Sequence, residues 1–86
     1  MGKHAYIAIF AKEDNGLYSV TFPDLPSAIT QGDDITEALF MASDVLNLVI
    51  TNAEQNGEPL PLPTKYETIK HEKNELLQYV ICETKN

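Results

Sequence analysis

At Ile35 the apolar residues of this 86-residue chain change period. Upstream, in HAYIAIFAKEDNGLYSVTF (residues 4–22), they follow the two-residue repeat of strands. Downstream, Ile35, Ala38, Leu39, Ala42, Val45, Leu46, Val49, Ile50 and Ala53 recur every three or four residues and make one continuous helical stripe. A chain of this length has room for a single modest core, so the two patterns must bury against each other, as one helix on one sheet. Asp34 stands at the N-cap of that helix with Glu37 three residues on, and Asp33 and Asp34 lie where the helix dipole is positive. Asn56-Gly57 supplies the stop. The predicted helix has about 20 residues and spans roughly 30 Å.

Asn15-Gly16 predicts a β-hairpin, because both residues tolerate the positive φ of a type I′ turn. A two-residue turn pairs Asp14 with Leu17, Ala11 with Val20 and Ile9 with Phe22. Ile7, Ile9, Ala11, Tyr18, Val20 and Phe22 then form the core side of the sheet. Tyr6, Ala8, Phe10 and Lys12 lie on the other side with Ser19 and Thr21. Residues 27–30 (SAIT) read as a short third strand, reached through a corner that Pro23 and Pro26 stiffen. After the helix, GEPLPLPTKYETIKHEKNE is an extended crossover, and ELLQYVICET is a last strand with Leu77, Tyr79 and Ile81 alternating against Gln78, Val80 and Cys82. The predicted class is α+β with the order β-β-β-α-β. One helix covers a width of about 10 Å, roughly two strands. A half-apolar sheet face carrying Tyr6, Phe10 and Val80 is therefore expected to be left for a partner or for self-association. Met41 and Leu48 lie opposite the main helical stripe, with Phe40 to one side. Either the crossover covers them or they form a contact surface.

Thirteen acidic residues against six basic ones give a net charge of −7. Such a surface repels phosphate backbones and suits a basic protein partner. The single Cys82 excludes an internal disulfide and fits a reducing compartment. No apolar run approaches ~20 residues, and the N-terminus lacks a cleavable signal pattern. The expectation is one soluble, cytoplasmic domain over residues 1–86, without direct nucleic-acid or membrane binding.

No catalytic constellation emerges. A two-metal nuclease needs carboxylates converging on the sheet, and HAYIAIFA in strand one has none. Asp24 falls on the corner, Asp33 and Asp34 at the start of the helix, and Glu13 and Asp14 at the hairpin tip, where turn, cap and solubility explain them. His4 and His71 have no ligand-spaced companions and read as exposed. Cys82 reads as a buried, inert thiol. Ser19, Ser27 and Ser43 belong to no nucleophile elbow, and the four glycines form no phosphate loop. No metal or cofactor is expected.

The stretch HAYIAIFAKEDNGLYSVTFPDLPSAITQGDDITEALFMASDVL, followed by NGEPLPLPT, resembles the HicB-like antitoxin family. The resemblance rests on an aromatic strand, an acidic-glycine hairpin, Phe22-Pro23-Asp24-Leu25-Pro26, Thr30, Gly32, Asp33 and Asp34, a helix opening with Glu37-Ala38-Leu39, and a downstream G-x-x-x-P-x-P. Ser27 stands where the family commonly has glycine. The resemblance implies a degenerate ribonuclease H-like fold without active carboxylates. It also implies an antitoxin that binds HicA, a small basic ribonuclease, and blocks its active site. Many members add a C-terminal DNA-binding module; this chain runs out at CETKN, so none is expected. The predicted partner contacts are Asp24, Glu13 and Asp14 through charge and Tyr6 and Phe10 through apolar surface, with turn chemistry or homodimer packing as the competing explanation of each. The alternatives are a homo-oligomeric domain without a toxin and a residual metal-dependent nuclease.

Overall fold

The computed structural model describes residues 2–84. It contains β1 (Gly2–Lys12), β2 (Tyr18–Thr21), β3 (Ile29–Gly32), α1 (Ile35–Gln55), a 3-10 turn at Tyr66–Thr68 and β4 (Glu75–Thr84). The sheet order is β3-β2-β1-β4, antiparallel throughout, and α1 packs on one face. This is the expected β-β-β-α-β architecture.

The hairpin departs from the expected register by one residue. Glu13 N–H donates to the Leu17 carbonyl at 2.7 Å, and Gly16 N–H donates to the Glu13 carbonyl at 2.9 Å. The connection is therefore a three-residue loop, a tight turn followed by Gly16 in the left-handed region at φ +90°. Asn15 stays at negative φ and instead accepts the Leu17 N–H on its side chain at 3.0 Å. Phe10 now opposes Val20, Ile9 opposes Thr21 and Ala11 opposes Ser19.

A one-residue slip exchanges the faces of one strand relative to its neighbour. Val20 and Phe22 are core residues, as expected, but they bring Tyr6, Ala8 and Phe10 into the core with them. The face expected to be free is thus the one under the helix: Tyr6 is 2% exposed, Phe10 1% and Val80 6%. They pack with Cys82 from β4 and with Ala38, Ala42, Leu46 and Ile50 from α1. Burying a large apolar side chain such as Phe10 or Leu46 contributes about 1.5–3 kcal/mol.

The third strand begins two residues later than expected, because the corner is longer. Leu25 N–H donates to the Phe22 carbonyl at 3.0 Å and Ala28 N–H to the Leu25 carbonyl at 2.8 Å. Two turns follow each other directly, with Pro23 and Pro26 each in the second position, where a fixed φ suits the turn. Leu25 and Ala28 point inward as a result. β3 then ends on Gly32, which lies against the backbone of Ala38.

Both helix ends stop where expected, and the one departure is that Glu37 reaches back past the N-cap to the residue before it. Asp34 accepts the Glu37 N–H at 2.8 Å, and the Glu37 carboxylate accepts the Asp33 N–H at 2.6 Å. At the other end Glu58 N–H donates to the Ala53 carbonyl at 2.8 Å and Gly57 N–H to that of Glu54 at 3.3 Å, with Gly57 at φ +69°. Those two bonds are a Schellman motif, which glycine in the left-handed region permits.

Candidate partner-binding surface

Charge is segregated along the chain. From Glu13 to Thr64 there are nine acidic residues and no Lys, Arg or His; all six lysines lie in the two flanking segments, against four glutamates. That acidic stretch holds the hairpin tip, β2, β3, the whole of α1 and the start of the crossover. The helical layer therefore presents carboxylates without a compensating base of its own.

The residues expected to meet a partner do not form one patch. Asp24 sits on the corner after β2 and accepts the Thr64 N–H at 2.8 Å and the Thr64 hydroxyl. Glu13 accepts the Ser19 hydroxyl at 2.8 Å, and Asp14 is exposed at the hairpin tip. β2 separates Glu13 and Asp14 from Asp24, so they occupy opposite ends of that strand. Tyr6 and Phe10 are buried between sheet and helix, and the Tyr6 hydroxyl donates to the Pro61 carbonyl. Neither offers the apolar contact surface expected of it, because the hairpin register turned their face inward. Burial, and after it the nearby Asp24 carboxylate, pushes the Tyr6 phenol pKa up.

His4 also departs from the exposed reading. Its Nε2 lies 3.2 Å from Glu54 Oε2, tying the start of β1 to the last turn of α1. Cys82 is buried, as expected, with Sγ 3.3 Å from Asn47 Oδ1. Burial, and after it the Glu54 carboxylate, pushes its thiol pKa up, the opposite of what a nucleophile needs. Among the described residues, no group of three or more His, Cys, Asp or Glu side chains could hold a metal ion. No helix among them is long and apolar enough to cross a membrane.

Apolar surface lies elsewhere: Leu39, expected in the buried helical stripe, and Phe40 are exposed on α1 and Leu62 on the crossover, beside two further groups of residues. On the sheet face away from α1, Ile29, Tyr79 and Ile81 are 64%, 47% and 70% exposed. Tyr66 stacks on Tyr79 with ring centroids 6.1 Å apart, and the strand partner of Tyr79, Ile7, is buried. The crossover thus covers the middle of that face and leaves its margins. On α1, Leu48 is 60% exposed and Met41 36%, so the crossover does not close over them. They line two adjoining depressions of about 230 and 370 Å³ that meet at Leu48. Helical spacing singles out Met41 and Leu48. It cannot single out Ile29 and Ile81, because β1 is apolar on both faces and alternation there does not say which face is covered.

A family model described as the HicB_like antitoxin of bacterial toxin-antitoxin systems matches residues 5–75. Antitoxin HicB 1 of Photorhabdus laumondii is 46% identical over 50 residues, 58% of this chain. That match spans 32% of the relative, so the chain covers about a third of its length. A structure described as a toxin-antitoxin complex from Streptococcus pneumoniae superposes with a TM-score of 0.85 at 24% identity, over 95% of this chain and 70% of the other. A chain of a HicA3 and HicB3 toxin-antitoxin complex gives 0.72 at 21% identity, over 94% and 100%. At these identities the two structures speak for the fold.

Proposed function

The chain belongs to the HicB-like antitoxin family, and we propose that it binds a small basic HicA-like ribonuclease and occludes the active site. The observation that carries this is the stretch from Glu13 to Thr64, which holds nine acidic residues and no base. A ribonuclease must present positive surface to RNA phosphates, and an acidic protein competes for that surface with the same sign of charge. Opposite fields also raise the encounter rate. Glu13, Asp14 and Asp24 contribute to the field; Asp14, free at the tip, is the best placed of the three for a direct ion pair. No bond-breaking step is assigned to the chain itself.

The test is co-expression of the tagged chain with the small basic protein of a neighbouring reading frame. Retention of that protein through washing at physiological salt is expected. Its passage through the column unbound overturns the proposal.

Self-association has its own supporting observation in the exposed Tyr79 and Ile81 on β4, a sheet edge of ten residues. Long apolar edges invite pairing with another strand. Sedimentation of the chain alone across concentrations tests it: a dimer that Ile81→Lys dissociates supports this second reading, and a monomer throughout opposes it.

A further inference from the structure

β3 has only four residues. Its Thr30 lies beside Met41, Asp44, Val45 and Leu48, and beyond Leu48 the helix is flanked by Leu25 and Ser27 of the corner and by the crossover. One flank of the helix is left without strand support there, and the two depressions that meet at Leu48 lie along it. The first lies between Thr30 and the helix at Met41 and Val45; the second continues between Val49 and Leu60 of the crossover. From Met41 to Ala53 this trough follows the helix for roughly 18 Å. Its walls are mainly apolar, with Thr30, Ser27 and Asn52 among them, and an acidic residue stands at each part, Asp44 in the first and Glu58 in the second.

We propose that this trough is the docking site for an apolar row of side chains on a basic partner segment, whose Lys or Arg residues meet Asp44 and Glu58. This deepens the antitoxin reading and rests on it, the occupant being part of the toxin. A second copy of the chain is the wrong occupant. Packing the trough on itself about a two-fold axis sets Asp44 and Glu58 against acids, and no base between Glu13 and Thr64 relieves them. The far sheet face differs, since Lys3 and Glu83 at its margin are of opposite sign and 4.0 Å apart. An exposed Leu48 between two acids is the arrangement in which an apolar anchor supplies affinity and flanking charges supply orientation.

The experiment measures binding of the full chain to the purified basic protein of the neighbouring frame, by calorimetry, for wild type, Leu48→Lys, Asp44→Lys and Ile81→Lys. The altered sites are exposed, and thermal melts establish that each variant is folded. Leu48→Lys is expected to weaken binding about tenfold or more. Asp44→Lys is expected to weaken it severalfold and to flatten its salt dependence, while Ile81→Lys stays within twofold of wild type. Wild-type binding that survives both trough substitutions overturns the trough and leaves the antitoxin reading standing. Failure of the wild-type chain to bind overturns both.

Discussion

Asp24 and Thr64, 40 residues apart, are joined by two hydrogen bonds, with the carboxylate accepting both the backbone N–H and the hydroxyl of the threonine. The acidic residue of the FPDLP corner thereby fastens the crossover to the end of β2. Hydrogen bonds to a charged group contribute about 1.5–3 kcal/mol, so Asp24→Ala is expected to destabilise the fold by about 2 kcal/mol. Thr64→Val keeps the backbone donor and should cost about 1 kcal/mol. Urea denaturation of the two variants checks the ranking.

Gly32 is required for a different reason. A Cβ built there would lie 2.4 Å from the Ala38 nitrogen and 2.7 Å from its Cα, and backbone cannot give way as a flexible side chain can. Gly32→Ala should cost about 2 kcal/mol or more by forcing α1 away from β3. Gly57→Ala, where the added methyl meets nothing but φ is +69°, should cost about 1 kcal/mol. Thermal melts of the pair separate steric conflict from backbone strain.

The inward turn of Tyr6 and Phe10 makes a contrast that the expected register would reverse. Phe10→Ala should cost about 3–5 kcal/mol, whereas Ile81→Ala, on the face away from the helix, should stay within about 0.5 kcal/mol. Equal losses in chemical denaturation would contradict the assignment of the core face.

The helix was legible in the sequence because three independent signals agree on it: the apolar stripe, the Asp34–Glu37 cap and the Asn56-Gly57 stop. The PDLP corner was legible too, since proline leaves few conformations open. The hairpin face was not. Asn15-Gly16 fits a two-residue turn and a three-residue turn with glycine in the left-handed region, and the two differ by one residue of register. Ordinarily hydrophobic alternation decides, but Tyr6, Ala8 and Phe10 are as apolar as Ile7, Ile9 and Ala11. The error passed from that turn to the partner-binding residues. Met41 and Leu48 were legible as lying off the stripe, but they flank it beside Val45 instead of standing opposite it; the trough they border depends on where Thr30, Leu25 and Ser27 come to lie, which no local pattern states.

Two buried acids make stability depend on alkaline pH. Burial raises the pKa of both Cys82 and Tyr6, with Glu54 and Asp24 adding to it respectively. In the unfolded chain these groups lose their protons first, near pH 8.5 and 10. Stability should therefore be complete below about pH 8.5 and decline as pH rises through these values toward the raised native ones. Urea midpoints at pH 7, 9 and 10.5 check the decline, and Cys82→Ala should remove its earlier part. The same burial predicts that a thiol reagent reacts with the native chain at least about tenfold more slowly than with the urea-unfolded one.

The most direct test of the central claim is a titration of RNA cleavage. The purified basic protein of the neighbouring frame cuts a labelled RNA while this chain is added in increasing molar ratio. Occlusion predicts that cleavage falls in proportion to added chain and stops near equivalence, with the chain alone leaving the RNA intact. Cleavage that continues undiminished at several-fold molar excess would contradict it.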